Sequence, residues 1–196
     1  MPRIGIIVGS TRPGRFGVQP AQWVLDLANT RGDADYELVD IEAAGLPLFD
    51  EPGSPLMSEP QNLHTIAWKE RIGALDGFVF VTPEYNHSTS GALKNALDYL
   101  FHEWNYKPAA FVSYGGASGG SRAVEHLRGI MGELKVYDIR DQILLPNYYF
   151  NLDEQGRYRF SETEEKAATA MLDELVFWTR QMTTARTART ADLVAA

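Results

Sequence analysis

Short apolar runs alternate along this chain with segments whose apolar residues recur every three or four positions. The runs at 3–8, 35–41, 77–82 and 108–113 are bounded by turn residues. Most are rich in Val, Ile and Phe, as buried parallel strands are. Residues 136–145 start with more polar side chains, which predicts a strand at a sheet edge. Between these runs the spacing predicts helices over 18–30, 62–75, 91–104 and 119–134, with Val18, Ala21, Val24, Leu25 and Ala28 marking one face of the first. A last helix, 161–183, opens with Ser161-Glu162-Thr163-Glu164, the spacing of a capping box. Five strands in strict alternation with five helices predict an α/β fold, a doubly wound parallel sheet in the order 2-1-3-4-5. Residues 1–183 form one domain in this reading, and 184–196, rich in Thr, Ala and Arg, form a mobile tail. Residues 42–61 carry Pro47, Pro52, Pro55 and Pro60, so they read as a long connection, either functional or simply packed on the surface.

Composition narrows the chemistry. The chain has 196 residues, enough for a sizeable single core, and a formal net charge of −8, which disfavours nucleic acid and anionic membranes as partners. It contains no cysteine, so thiol nucleophiles, zinc thiolates and iron–sulfur clusters are excluded, and any redox chemistry needs an organic cofactor. Its four histidines form no metal-binding spacing, and no metal site is expected. Met1-Pro2-Arg3-Ile4 runs directly into the first strand without a signal-peptide pattern, so a cytoplasmic address is expected.

Three polar stretches follow strands and precede helices, which in such a sheet brings them to one edge. Gly9-Ser10-Thr11-Arg12-Pro13-Gly14-Arg15 has the composition of a phosphate loop: glycines for close approach, a hydroxyl, two guanidinium groups and a helix amino terminus behind them. It fits neither the Walker nor the dinucleotide glycine spacing. Thr82-Pro83-Glu84-Tyr85-Asn86 offers a rigid wall, an aromatic ring and an amide, suited to a flat heterocycle. Tyr114-Gly115-Gly116-Ala117-Ser118-Gly119-Gly120 would let backbone N–H groups face such a ring, with Tyr114 and Ser118 adding polar and stacking options. Glu84 and His87 leave a hydrolase reading open, with His87 otherwise lining a substrate cleft. Each loop could also be a plain polar turn.

These residues carry a resemblance. Gly9-Ser10-x-Arg12, Thr82-Pro83-Glu84-Tyr85-Asn86-x-Ser88, Gly91-x-Leu93-Lys94-Asn95-Ala96-Leu97-Asp98 and the glycine pairs 115–116 and 119–120 resemble the NADPH-dependent FMN reductase family. The family comprises flavodoxin-like quinone, chromate and azo-dye reductases. The resemblance implies FMN, with its phosphate at Ser10, Arg12, Gly17, Val18 and Gln19. It places the ring between Pro83, Glu84, Tyr85 and Asn86 on one side and Tyr114, Gly115 and Gly116 on the other. NADPH is implied as electron donor, with Arg15 the candidate for its 2′-phosphate, His87 and Ser118 on the substrate side, and a small quinone-like acceptor. Tyr85 and Tyr114 are expected to shape the space above the ring. Many members have Pro where this chain has Ser90, a change expected to loosen the entry to the helix that follows. An electron carrier docking to a protein partner is the alternative on the same fold. Surplus aromatic residues on 91–104, Tyr99 and Trp104 among them, point to a homodimer or homotetramer.

Overall fold

A computed structural model describes residues 1–195, with 190–195 by their backbone only. Strands β1 (Arg3–Val8), β2 (Asp35–Asp40), β3 (Gly77–Pro83), β4 (Pro108–Gly115) and β5 (Tyr137–Pro146) pair in parallel in the order β2-β1-β3-β4-β5. The alternation of side chains along each strand divides the core in two. Ile4, Ile6, Val8, Val79, Val81, Ala110 and Val112 face α1 (Val18–Asn29) and α6 (Glu162–Ala195). Ile7, Phe78, Phe80 and Phe111 face α3 (Leu63–Gly73), α4 (Gly91–Asp98) and α5 (Ser121–Glu133). Both faces of β1, β3 and β4 are covered, which is why their sequences read as continuous apolar runs. β5 pairs only with β4 and lies at an edge, as its polar start predicts.

Helix α4 is shorter than the periodicity predicts. It ends at Asp98, and the chain turns so that Tyr99 and Trp104 both go inward, each 1% exposed. The Trp104 indole donates to the Leu97 carbonyl at 3.2 Å, and the Tyr99 hydroxyl donates to Asp50 at 2.9 Å. The surplus apolar face inferred from a longer helix does not exist. The connection after β2 begins with a short helix α2 (Ile41–Ala44), capped by Asp40 and ended by Gly45 at φ 60°. It is then pinned by Asn95, which accepts from the Phe49 amide at 2.9 Å and donates to the Pro47 carbonyl at 2.7 Å.

The last helix runs past the expected 183 to Ala195, taking in most of the segment read as a tail; Ala196 lies outside the described residues. Its predicted capping box forms: the Ser161 amide donates to Glu164 at 2.6 Å and the Glu164 amide to the Ser161 hydroxyl at 3.3 Å. Arg186 pairs with Asp76 at 2.6 Å, fastening the extension to the start of β3. No helix among the described residues is long and apolar enough to cross a membrane.

Lys107 is buried where α3 ends, donating to the carbonyls of Ile72 at 3.1 Å and Gly73 at 3.2 Å. Burial, reinforced by the Arg186 charge, pushes its pKa down to about 8 against the pull of Asp76 and Glu103. The unfolded chain therefore binds more protons than the folded one between that value and about 10.5, and stability from this group rises with pH across the window. The unfolding free energy of the wild type, relative to Lys107→Met, should gain about 2–3 kcal/mol over this range. Urea unfolding at a series of pH values tests this; a gap between the two proteins that ignores pH would refute it.

Candidate functional site

The carboxyl ends of β1, β3 and β4 carry three loops that hydrogen bonds stitch into one unit. Ser90 caps α4 by accepting from the Leu93 amide at 3.0 Å, and its hydroxyl donates to the Gly9 carbonyl at 2.5 Å. The expected loosening at this position is thus not what happens: Ser90 fastens α4, the helix after the second loop, to the first loop. Gly9 itself must be glycine, since a Cβ there would lie 2.7 Å from the Val81 carbonyl. The hydroxyls of Ser10 and Tyr85 bond at 3.1 Å, joining the first loop to the second.

The second loop is a four-residue reversal. Tyr85 and Ser88 exchange amide–carbonyl bonds of 2.8 and 3.1 Å, and the two residues between them, Asn86 and His87, have φ of 48° and 75°. Two consecutive non-glycine residues in this region mark strain held at a candidate site. Helix α5 braces the reversal at both ends. Arg122 donates its Nε to Glu84 at 2.6 Å, and His126 Nδ1 lies 2.8 Å from the Ser88 hydroxyl. Glu84 also accepts from Ser118 at 3.0 Å and from the Arg122 amide at 3.2 Å, joining the second loop to the third. Burial alone would raise its pKa, but the Arg122 and Ser118 hydrogen bonds and the Arg122 charge hold it below the usual value. A carboxylate so occupied is no general base, which removes the hydrolase reading.

The first loop divides its cations. Arg15 is taken up: it pairs with Asp40, with Glu42 at 2.8 Å, and donates to the Ser10 carbonyl at 2.7 Å. This corrects its assignment to a substrate phosphate; it anchors the loop to the end of β2. Arg12 is exposed, and its guanidinium has no partner among the described residues. Gln19 also turns away. Its side chain donates to the Gly156 carbonyl at 2.7 Å and accepts from the Tyr158 amide at 2.8 Å. The amides of Phe16, Gly17 and Val18, at the head of α1, bond no backbone carbonyl among the described residues. Phe16 is buried and stacks on Tyr148 with centroids 4.1 Å apart, which holds the loop in place. The Tyr114 ring is buried beside it rather than lining the cleft, so the expectation that it shapes the space above a bound ring fails for the side chain.

The comparisons bear on this arrangement. The family model for NADPH-dependent FMN reductase matches residues 2–150. This chain belongs to that family. It is 45% identical to an NAD(P)H-dependent FMN reductase of Schizosaccharomyces pombe over 69% of this chain and 68% of the relative. It is 32% identical to a 2-hydroxy-1,4-benzoquinone reductase of a Burkholderia species over 91% and 96% of the two chains. The fold matches the flavoenzyme NAD(P)H:(acceptor) oxidoreductase FerB of Paracoccus denitrificans with a TM-score of 0.71, at 21% identity, covering 93% of this chain and 99% of that one. The flavodoxin-like architecture and an FMN-binding, NAD(P)H-dependent enzyme follow.

The residues present fit FMN. An exposed unpaired arginine, a buried serine and amides without backbone acceptors at a helix head make a receptor for a phosphate. Pro83 and Asn86 flank the second strand end, and Gly115 and Gly116 the third. The sequence motifs did not single out Arg122 or His126, and they marked Ser90 only as a departure from the family pattern. Arg122 had a signal, a cation in the first turn of a helix where a buried carboxylate needs one.

The two arginines of the first loop should separate cleanly. Arg12→Ala should weaken FMN binding about ten- to a hundredfold, the worth of a charge-assisted contact, with an unchanged melting temperature. Arg15→Ala should lower the unfolding free energy by about 1–2 kcal/mol, because Asp40 and Glu42 then face each other unpaired. Flavin titration alongside thermal melting distinguishes them, and the reverse pattern would overturn both assignments.

Proposed function

We propose that this enzyme takes electrons from NADPH and delivers them to a small, flat acceptor of the quinone class at an FMN held by the three loops. The observation that carries the reading is the stitching of those loops, Ser90 to Gly9, Tyr85 to Ser10 and Glu84 to Ser118 and Arg122, into a single rigid edge. FMN, when bound, supplies the chemistry, accepting a hydride from the nicotinamide and releasing two electrons to the acceptor. The net reaction converts NADPH, a proton and a quinone into NADP⁺ and a hydroquinone.

The chain's own part is to bind and orient. Ser10, Arg12 and the α1 amides would hold the phosphate, while Pro83, Tyr85 and Asn86 of the second loop and Gly115 and Gly116 of the third would border the ring from adjacent strand ends. Backbone N–H groups of the glycine loop would steady negative charge on the reduced ring. Glu84 is neutralised by Arg122, and His87 is exposed at the rim, 6.3 Å from the His126 ring. No fixed charge is left to select among acceptors, so broad acceptor use follows. A carrier that docks to a protein partner is not favoured, since the relatives named above are reductases of small molecules. We further propose that the enzyme is a homodimer or homotetramer, with a second copy covering the exposed Leu48, Met57 and Leu63 of the long connection and the start of α3.

Anaerobic NADPH should bleach the flavin absorption of the purified protein, and a quinone should restore it. A carrier would leave the spectrum unchanged. With one opening used in turn by donor and acceptor, initial-rate lines should be parallel; intersecting lines with a stable ternary complex would show simultaneous binding instead. Sedimentation should give a dimer or larger, and a concentration-independent monomer would end the assembly proposal.

A further inference from the structure

Tyr114 stands near the end of β4, paired with Pro83 on one side and Leu145 on the other. Its ring meets Phe16 edge-on at 5.1 Å and Tyr148 at 5.3 Å, and the residue is 4% exposed. The hydroxyl reaches the head of α1. A Cβ on Gly17 would lie 2.7 Å from the phenolic oxygen and 3.3 Å from the ring, so residue 17 must be bare for the phenol to stand there. The Ser10 hydroxyl and the Gly17 amide lie near that oxygen and favour its charge, yet neither makes a well-formed hydrogen bond to it, and the buried O–H has no acceptor among the described residues. An unsatisfied buried hydroxyl is destabilising, and phenylalanine would fill the same space without that cost. The neighbouring Ser10 hydroxyl already engages Tyr85 and the Arg12 amide.

We propose that the Tyr114 phenol donates a hydrogen bond to the phosphate of bound FMN and thereby selects phosphorylated over unphosphorylated flavin. This rests on the FMN reading given above. Burial, chiefly, pushes the phenol pKa up, so the donor keeps its proton at physiological pH. The inference moves the role of Tyr114 from the space above the ring, where the sequence placed it, to the phosphate.

Flavin-free wild type and Tyr114→Phe, titrated with FMN and with riboflavin by fluorescence, test it. The variant should lose roughly ten- to a hundredfold in FMN affinity and keep its riboflavin affinity, as loss of a hydrogen bond to a charged acceptor implies. Its flavin-free melting temperature should equal or exceed that of wild type, because the unpaired hydroxyl is gone. Equal losses for both flavins, or no loss for FMN, would overturn the proposal. If wild type binds neither flavin, the FMN reading fails, and melting with inorganic phosphate then decides the phenol's role. A phosphate-induced rise present in wild type and absent in the variant upholds a phosphate-facing donor; the same rise in both, or none in wild type, overturns it.

Discussion

A carboxylate withdrawn from water must find cations and donors, and Glu84 is so withdrawn, its side chain 5% exposed. Everything at the sheet edge follows from how that demand is met. Arg122 satisfies it from the first turn of α5 and Ser118 from the glycine loop, so one buried charge fixes the distance between two strand ends and the helix behind them. The reversal at Asn86 and His87 sits directly after this clamp and keeps its unfavourable backbone only because both of its ends are held. A planar ligand requires rigid borders, and the ties at this edge exist before any ligand arrives.

How much of this the sequence discloses depends on the range of the interaction. The strands are legible because Ile4 to Val8 and Phe78 to Val81 are apolar without interruption, a pattern that only two-sided burial produces. The capping box at Ser161 and Glu164 is equally local and equally legible. The end of α4 is not, because Tyr99 and Trp104 continue the helical spacing while their partners, Asp50 and the Leu97 carbonyl, lie on a remote loop and in the preceding turn. The same holds for α6, whose polar last turns lack the apolar face that marks a helix, yet Arg186 finds Asp76 across 110 positions.

At the site, residue types were legible and side-chain direction was not. Ser10, Arg12, Pro83 and Gly115 lie at the carboxyl ends of their strands, where the alternation of elements puts them. Arg15, Gln19 and Tyr114 belong to the same stretches but turn toward Asp40, Gly156 and Phe16. Nothing within a loop of nine residues tells one arginine from the other; Asp40 does, from the end of a different strand. Ser90 shows the converse, a departure from the family pattern that supplies a cap and a tie which proline cannot.

The pairing of Arg15 with Asp40 and Glu42 has an electrostatic consequence for how ligands arrive. With its charge cancelled locally, the loop presents one cation, Arg12, in a protein whose formal net charge is −8. The long-range field therefore repels phosphorylated ligands rather than guiding them. Attraction begins only at contact distance, from amide dipoles, a hydroxyl and a single guanidinium. Capture at such a surface is governed by fit after collision and not by steering before it.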